Sequence, residues 1–443
     1  MSREKTTISR QRFRRPVSAI PSLTGVIAII AIPVIHFLWP DLQGVSDRDQ
    51  TVLFALSVFS LLVVSEVFYS KVYRKPGSGL VYRPQNFFDG KYVCDFGIKL
   101  LGLAASFAML AVFYYSADIY RDDWYSPFFS LLSDYWGLIL FVILVTVTFV
   151  HFSMRNPRDG LWHLGRAVLT LGRLSTRAPE LKVHFLGLGI KGYFLPLMFC
   201  YLVYDWSYFQ TRSLWSSDDF YDVYEYLFRF SFFLDLTIVV IGYATATRLL
   251  TSQIRWTETK VSGWLVCIIC YAPFWQLLSR NYFNYFESGF AWGQWLWDYP
   301  VLYFMWGSTI LLFLGIYSLT SARMGLRFSN LTYRGLACDF PYNISKHPAY
   351  ISKNITWWLI SIPFIAVDFW TGVANCTALF GVNAIYYFRA RHEEMCLSKA
   401  PSYRAYQRFI NDRGLIAQLK RGILGQTKWI PEQKNRSDVR TRI

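Results

Sequence analysis

Charged side chains are scarce in this chain of 443 residues. Asp, Glu, Lys and Arg make up 17% of it, whereas 53% of the residues are hydrophobic and 19% are aromatic. Soluble domains usually carry about 25% charged residues, because their surfaces face water. The hydrophobic residues also fall in long runs rather than at alternating positions. This shortage of charge argues against a soluble protein and predicts an all-α, polytopic membrane helical bundle.

Histidine and cysteine are also few, with six and seven residues. The cysteines are scattered, and the one close pair, Cys267 and Cys270, encloses two isoleucines within an apolar run. A disulfide framework or a thiolate metal site would need regular spacing and further ligands. The histidines show no ligand spacing either, so we expect no metal site.

Long apolar runs define the expected membrane passes, since a helix needs about 20 apolar residues to cross the hydrocarbon core. About ten transmembrane helices are expected, at approximately residues 22–39, 51–70, 95–117, 135–152, 184–204, 226–247, 262–278, 300–319, 354–367 and 373–388. The last two runs are short and flank a turn at residues 368–372, so they are expected to form a tight helical hairpin.

The distribution of Lys and Arg predicts the orientation of these helices. Positive residues concentrate in alternate loops and at both ends, whereas four of the intervening loops carry one each: Arg48, Arg121, Arg212 and Arg280. Because cytoplasmic loops keep the excess of Lys and Arg, both termini are expected in the cytoplasm. The net charge of +16 is spread over all the inner loops, so anionic membrane lipid is the expected partner, and nucleic acid is not.

These patterns divide the chain into four parts. Residues 1–21 and 413–443 are expected to be basic cytoplasmic tails. Residues 22–250 would form a six-helix membrane region of unassigned role, and residues 251–412 a four-helix membrane region that carries the candidate site.

Five ionisable residues lie within or beside the apolar runs, namely Glu66, Lys99, Lys191, Arg229 and Asp235. A charge at the centre of a membrane helix costs on the order of 3 kcal/mol, so each is expected to face a partner or a cavity. Interhelical pairing or snorkelling is favoured. A polar substrate pocket in the amino-terminal bundle is the alternative.

Ionisable residues also accumulate on both sides of the last hairpin. Lys346-His347-Pro348-Ala349-Tyr350 precedes it, and Arg389-Ala390-Arg391-His392-Glu393-Glu394 follows it. Pro348 predicts a non-helical connection over residues 344–350, and the charge spacing predicts a helix over residues 384–410. An ordinary juxtamembrane helix with solvated ion pairs is one interpretation. However, a His-Pro turn lies at the other end of the same short hairpin, and this combination favours a ligand site.

The order and spacing of these residues resemble the isoprenylcysteine carboxyl methyltransferase family of integral membrane enzymes. The resemblance covers about residues 320–412 and rests on Pro341-Tyr342, Lys346-His347-Pro348-Ala349-Tyr350, Arg389-Ala390-Arg391-His392-Glu393-Glu394-Met395-Cys396-Leu397 and Tyr403-Arg404-Ala405-Tyr406. The chain departs from the family pattern at Phe340, where a glycine is expected, and at Asn343, where an arginine is expected.

The resemblance implies a methyltransferase that uses S-adenosylmethionine in a cytoplasm-facing pocket. The acceptor would be lipid-like or prenylated, with a carboxylate as one candidate acceptor group. Cofactor contacts are expected from Tyr342, Lys346, His347, Pro348, Tyr350 and Glu394. Catalytic roles are expected from Arg389, Arg391 and Glu393, and substrate contacts from Tyr403 and Tyr406. Carboxylates suit ribose hydroxyls, aromatic rings suit a sulfonium cation, and arginines suit an anionic acceptor.

Two other functions stay open. Membrane sterol reductases have a similar His-Pro-x-Tyr turn and about ten passes, but they use NADPH. They usually carry Asn in place of Ala349 and an Asp-rich segment in place of Glu393-Glu394. A non-catalytic scaffold or transporter is the third hypothesis, and it is supported by the departures at Phe340 and Asn343.

Overall fold

The computed structural model describes residues 16–40, 42–171, 178–216, 219–285 and 292–423, and these are predominantly helical. The helices are α1 (Ser22–Phe37), α2 (Asp47–Val64), α3 (Gly90–Ser116), α4 (Ser126–Ser153), α5 (Gly160–Leu169), α6 (Pro179–Thr211), α7 (Phe220–Ala244), α8 (Val261–Ile268), α9 (Phe274–Asn281), α10 (Trp292–Leu296), α11 (Pro300–Met324), α12 (Pro348–Ser361), α13 (Phe369–Leu397), α14 (Pro401–Arg413) and α15 (Leu415–Ile423). Two short strands, β1 (Trp256–Thr257) and β2 (Thr332–Tyr333), pair antiparallel.

Six helices in the described part of the chain are long and apolar enough to cross a membrane. They extend over Asp47–Tyr69, Gly90–Ser116, Asp123–Ser153, Pro179–Thr211, Phe220–Ala244 and Pro300–Arg327. Each coincides with one expected pass, so the prediction of a helical membrane protein is confirmed. The other four expected passes fall on α1, on α8 with α9, on α12 and on α13. Of these, α1 and α12 are short, and residues 269–273 interrupt the run between α8 and α9.

The central position in the bundle belongs to α6 and α7. In the 18-residue apolar stretch of each of these two helices, 61% of the residues are buried, against 17% in that of α3 and 22% in that of α4. The main hydrophobic core accordingly contains Phe194 and Trp206 from α6 and Phe233 from α7, all fully buried. The outer helices keep large apolar side chains exposed, as expected of surfaces that face lipid.

The candidate hairpin differs from its sequence prediction at both ends. Pro348 is the first residue of α12, so Tyr350 is helical and the irregular connection ends at His347. Proline suits this position, because the first residues of a helix have no use for the missing N–H. The expected continuous helix over residues 384–410 is wrong. Helix α13 ends at Leu397, and Pro401 begins α14 after a short break.

Loops that the charge pattern assigns to the same side contact one another. The Ala19 N–H donates to the Leu336 carbonyl at 2.8 Å, and β1 pairs with β2. At the other end of the bundle, Arg48 lies 2.7 Å from the Asp134 carboxylate. The segment after residue 15 therefore lies at the same end as the connection into α12.

Most of the ionisable residues expected to need partners have them. Glu66 forms a buried bidentate pair with Arg327, and Lys99 lies 2.9 Å from Asp159. Arg229 pairs with Glu225 on its own helix at 3.5 Å. The Tyr317 hydroxyl donates to the Asp235 carboxylate at 2.7 Å. Pairing is thus confirmed for Glu66 and Lys99, whereas Asp235 has a neutral partner.

Helices α3 and α5 cross at two glycines with direct backbone contact. An added Cβ at Gly165 would lie 1.8 Å from the Ile98 carbonyl oxygen, and one at Gly102 would lie 1.9 Å from the Leu161 carbonyl oxygen. Small residues at such crossings let membrane helices approach closely.

We therefore expect Gly165→Ala to lower the free energy of unfolding by about 1 to 3 kcal/mol, because the two backbones must separate. Thermal unfolding of purified protein in detergent measures this. Gly137→Ala is the matched control, because nothing lies within 4 Å of a Cβ added to that α4 glycine. The control should be neutral or slightly stabilising, since alanine favours helix. Equal effects of the two changes would contradict the prediction.

Candidate functional site

The His-Pro turn meets the end of α13 at Glu394. Lys346 Nζ lies 2.6 Å from Glu394 Oε1, and His347 Nε2 lies 3.1 Å from the same oxygen. Gln407 donates to Oε2 at 3.2 Å, and Arg391 Nη1 lies 3.5 Å from it. The connection before α12, the end of α13 and helix α14 therefore converge on one carboxylate.

This carboxylate is stabilised in its ionised form. Burial alone would raise the pKa of Glu394, but the hydrogen bonds from His347 and Lys346 and their positive charge outweigh it. The pKa of Glu394 is lowered to about 2. Glu394 therefore stays negative at physiological pH and remains an acceptor only.

Glu393 belongs to the same cluster through Tyr350. The Tyr350 hydroxyl donates to Glu393 Oε2 at 2.9 Å, and His347 Nδ1 lies 3.9 Å from that oxygen. The rings of His347 and Tyr350 are stacked, with centroids 5.5 Å apart. Because α12 begins at Pro348, Tyr350 lies in its first turn and reaches across to α13.

Arg389 is positioned by residues that the sequence analysis did not single out. Its Nη2 donates to the Tyr271 hydroxyl at 3.1 Å and to Asn330 Oδ1 at 2.8 Å. The guanidinium lies 5.3 Å from the ring centroids of both Tyr271 and Tyr350. Within the described residues, no carboxylate forms an ion pair with Arg389. Tyr271 lies in an apolar run and Asn330 in a loop, so only the tertiary structure brings them to this arginine.

Arg391 lies in a different environment from Arg389. Its side chain is 57% exposed and pairs with Glu394. The sequence analysis assigned both arginines the same role, but the structure separates them on two faces of α13.

Two clefts flank α13 at this point. The first has a volume of about 60 Å³, and its lining includes Glu258, Asn330, Tyr350, Arg389, His392 and Glu393. The second, more open cleft has a volume of about 380 Å³ and is lined by residues that include Arg391, Glu394 and Gln407. Pockets for small molecules usually enclose about 300 to 1,000 Å³. The second cleft is therefore large enough for a nucleoside-sized ligand, whereas the first has room only for a small group.

A histidine that lines the first cleft has an unsatisfied polar atom. His392 Nδ1 is buried and has no hydrogen-bond partner among the described residues. Such an atom is costly unless a ligand or water supplies the missing bond. His392 was missed by the sequence analysis, although it stands between Arg391 and Glu393.

Three tyrosines expected to contact ligands lie behind the turn. The Tyr406 hydroxyl donates to the carbonyl oxygens of Tyr342 and Ser345 at 2.7 and 3.3 Å. The Tyr342 hydroxyl donates to the Thr320 carbonyl at 3.3 Å, and Tyr403 is 3% exposed within the same small core. These side chains support the connection that carries Lys346 and His347.

The two departures from the family pattern lie beside this core. Phe340 is 46% exposed, and its carbonyl accepts a hydrogen bond from Arg323 Nε at 2.7 Å. Asn343 carries a buried side-chain oxygen without a donor. Neither residue takes part in the hydrogen bonds around Glu394.

The chain matches no family model, no curated protein and no solved structure. A functional proposal therefore depends on the geometry of the site.

Proposed function

We propose that the protein is an integral membrane methyltransferase that uses S-adenosylmethionine and a lipid-like or prenylated acceptor. A carboxylate is one candidate acceptor group. The observation that supports this most is the convergence of the His-Pro turn and the Glu393-Glu394 pair between two clefts, of which the one lined by Glu394 has the size of a small-molecule pocket.

The residues of the site fit the parts of this cofactor. Glu393 and Glu394 offer carboxylates for ribose hydroxyls or an amino group. A cation already lies over the Tyr350 ring, namely the Arg389 guanidinium at 5.3 Å from its centroid. A sulfonium cation in that place would gain the same attraction, worth on the order of 1 kcal/mol or more when desolvated. His392, which lines the first cleft, offers its unsatisfied Nδ1 as a further polar contact. Lys346 and His347 hold the Glu394 carboxylate in place. The carboxylates and aromatic rings of the site therefore suit the hydroxyls and the cationic sulfur of this cofactor, and Arg389 suits its carboxylate.

Methyl transfer requires the protein mainly to align the acceptor with the methyl group of the cofactor. The bound cofactor supplies a methyl group on a cationic sulfur, which is already a good leaving group. Holding the acceptor in line with that methyl group can account for much of the rate acceleration. Arg389 is held by hydrogen bonds to Tyr271 and Asn330, so it is placed to orient an anionic part of the acceptor or of the cofactor.

The reductase hypothesis has less support from this geometry. NADPH brings three phosphate groups, which proteins usually bind with free Lys, Arg or backbone N–H groups. Lys346 and Arg391 both pair with Glu394 instead. Of the two arginines in residues 389–394, Arg389 alone has no carboxylate partner among the described residues, so it would be the one available to a phosphate group.

The topology that we propose has about ten passes, with α1, the α8 and α9 pair, α12 and α13 added to the six long helices. Both termini and the site would face the cytoplasm, where the cofactor is available, and anionic lipid would contact the basic loops. The joint position of the amino-terminal segment and the α12 connection at one end of the bundle supports this arrangement.

The test is an incubation of membranes that contain the protein with methyl-labelled S-adenosylmethionine, and with NADPH in parallel. We expect label in the lipid or protein fraction, and no protein-dependent oxidation of NADPH. Membranes without the protein are the control. NADPH consumption without transfer of label would favour the reductase. The absence of both signals, together with no binding of S-adenosylmethionine by purified protein, would favour the scaffold or transporter.

A further inference from the structure

A buried carboxylate lies deeper in the bundle than the candidate site. Asp235, in α7, is 7% exposed and accepts a hydrogen bond through Oδ2 from Tyr317 of α11. Its other oxygen, Oδ1, is buried and has no donor in hydrogen-bonding geometry among the described residues, with the Ser321 hydroxyl close to the carboxylate. A buried charged oxygen is costly without well-placed donors, and a carboxylate oxygen has two lone pairs, so Oδ1 is able to accept from a ligand as well as from Ser321.

Lys353 of α12 faces the same space. Its ammonium nitrogen lies between 5.2 and 6.0 Å from the centroids of four aromatic rings, contributed by Phe232, Tyr317, Trp357 and Tyr386. Lys353 and Asp235 attract each other, but they do not form an ion pair within 4.0 Å. A polar group that lies between the two charges would hydrogen-bond to both of them.

Asp235 and Lys353 are linked to the candidate cofactor site through neighbouring residues on α12 and α13. Lys353 follows Tyr350 by three residues on α12, which is a rise of about 4.5 Å along the same face. The rings of Tyr350 and Tyr386 are 5.8 Å apart. Tyr386 in turn precedes Arg389 by three residues on α13. A continuous set of aromatic side chains therefore leads from Glu393 and His347 to Lys353 and Asp235.

We propose that Asp235 and Lys353 bind the reacting end of the methyl acceptor, and that the reacting group is a hydroxyl. This inference rests on the proposed methyltransferase function and names its acceptor class. A carboxylate acceptor is already deprotonated at neutral pH and needs no base. A hydroxyl acceptor must lose a proton, and Asp235 Oδ1 is a buried oxygen that no described residue fills in hydrogen-bonding geometry, so it is able to accept that proton.

The acceptor O–H bond breaks and its proton goes to Asp235 Oδ1, while the acceptor oxygen forms a bond to the transferred methyl carbon. The electron pair of the broken carbon–sulfur bond stays on sulfur. The Lys353 ammonium stabilises the negative charge that develops on the acceptor oxygen. An amine acceptor would instead develop positive charge, which Lys353 disfavours.

The first experiment identifies the bond that holds the label. Membranes containing the protein receive methyl-labelled S-adenosylmethionine, and the labelled lipid is then treated with mild alkali and, separately, with hydriodic acid. A methyl ether resists alkali and releases its methyl group in hydriodic acid. A methyl ester releases labelled methanol in alkali. We expect the ether result, and alkali-labile label would overturn the hydroxyl assignment.

The second experiment tests Asp235 itself. Asp235→Asn should lower the transfer rate about 100-fold or more, as expected for loss of a general base. Its affinity for S-adenosylhomocysteine should change less than about twofold, because Asp235 does not belong to the cluster around Glu394. Asp205→Asn is the matched control, since it makes the same change in the neighbouring helix α6. Unchanged transfer by Asp235→Asn would overturn the proposal.

Binding of the acceptor group provides a readout that is independent of turnover. In nanodiscs with S-adenosylhomocysteine present, the protein should bind dodecanol more tightly than dodecanoate, and Asp235→Asn should weaken dodecanol binding about tenfold. Tighter binding of dodecanoate that depends on Lys353 would overturn the proposal.

If Asp235→Asn does not fold, Tyr317→Phe removes the hydrogen bond to Asp235 and keeps the ring. It should reduce transfer about tenfold, and unchanged transfer by a folded Tyr317→Phe would count against the proposal.

The outcomes separate this inference from the function on which it rests. Failure to bind S-adenosylmethionine, with no label transferred, rejects both. Transfer of label that is released by alkali, or that survives Asp235→Asn, keeps the methyltransferase and rejects the hydroxyl acceptor.

Discussion

Glu394→Gln should weaken the binding of S-adenosylmethionine about 10-fold to 100-fold. The substitution keeps the shape of the side chain but removes the charge that attracts Lys346, His347, Arg391 and Gln407. Hydrogen bonds to charged groups contribute about 1.5 to 3 kcal/mol, which corresponds to that range of affinity. Isothermal titration of purified protein with S-adenosylmethionine, and with S-adenosylhomocysteine, measures the effect.

Two further variants make this test specific. Glu180→Gln makes the same change at an exposed position in the first turn of α6 and should leave binding unchanged. His347→Ala removes the other side of the contact and should weaken binding to a similar degree. If Glu394→Gln and His347→Ala both bind as tightly as the wild type, the cofactor does not occupy this site.

The pH dependence of stability provides a separate check on Glu394. Its pKa is lowered from the ordinary 4.5 to about 2 in the folded protein. The stabilising contribution is therefore complete above about pH 4.5 and is lost as the pH falls toward 2. Thermal unfolding in this acidic range should show a smaller decline for Glu394→Gln than for the wild type, because the variant has no such group to protonate.

Glu66→Gln should cause a large loss of stability, about 3 to 5 kcal/mol. Arg327 is 2% exposed and donates to both oxygens of Glu66, which is fully buried. Arg327 also donates to the Leu250 carbonyl and to Thr251 Oγ1 at 2.9 Å. The variant leaves the guanidinium buried without a counter-charge, and this is the costly outcome of breaking a buried ion pair. Unfolding in mixed micelles measures the change.

The matched comparison for this ion pair is Glu225→Gln, which breaks the partly exposed pair with Arg229. That change should alter stability by about 0 to 1 kcal/mol. Replacing Glu66 and Arg327 together by methionine should be much less harmful than Glu66→Gln alone, because no unpaired charge remains. A double variant as unstable as Glu66→Gln would show that packing, rather than charge, determines the loss.

Much of the site was predictable because its residues come in two short segments with strong local patterns. Pro348 indicates an irregular connection into the hairpin, which the sequence extended to residue 350 and the structure ends at His347. The charges after residue 388 repeat at helical spacing, so both clusters can be placed at the end of one hairpin. The residues that position Arg389 were not predictable. Asn330 and Tyr271 are distant in sequence and carry no pattern, and only helix packing brings them together. The roles expected of Tyr403 and Tyr406 remain predictions, and the structure places both behind the turn.

The sequence by itself determined that this is a helical membrane protein with ionisable residues on both sides of its last hairpin. Composition and run length decide that outcome, because an unpaired backbone cannot remain in hydrocarbon. The tertiary structure decided which charges meet. It placed Glu394 against Lys346 and His347, Arg389 against Tyr271 and Asn330, and Asp235 near Lys353. Such contacts join residues on different helices, so they depend on how the helices pack, which the pattern within each helix does not specify.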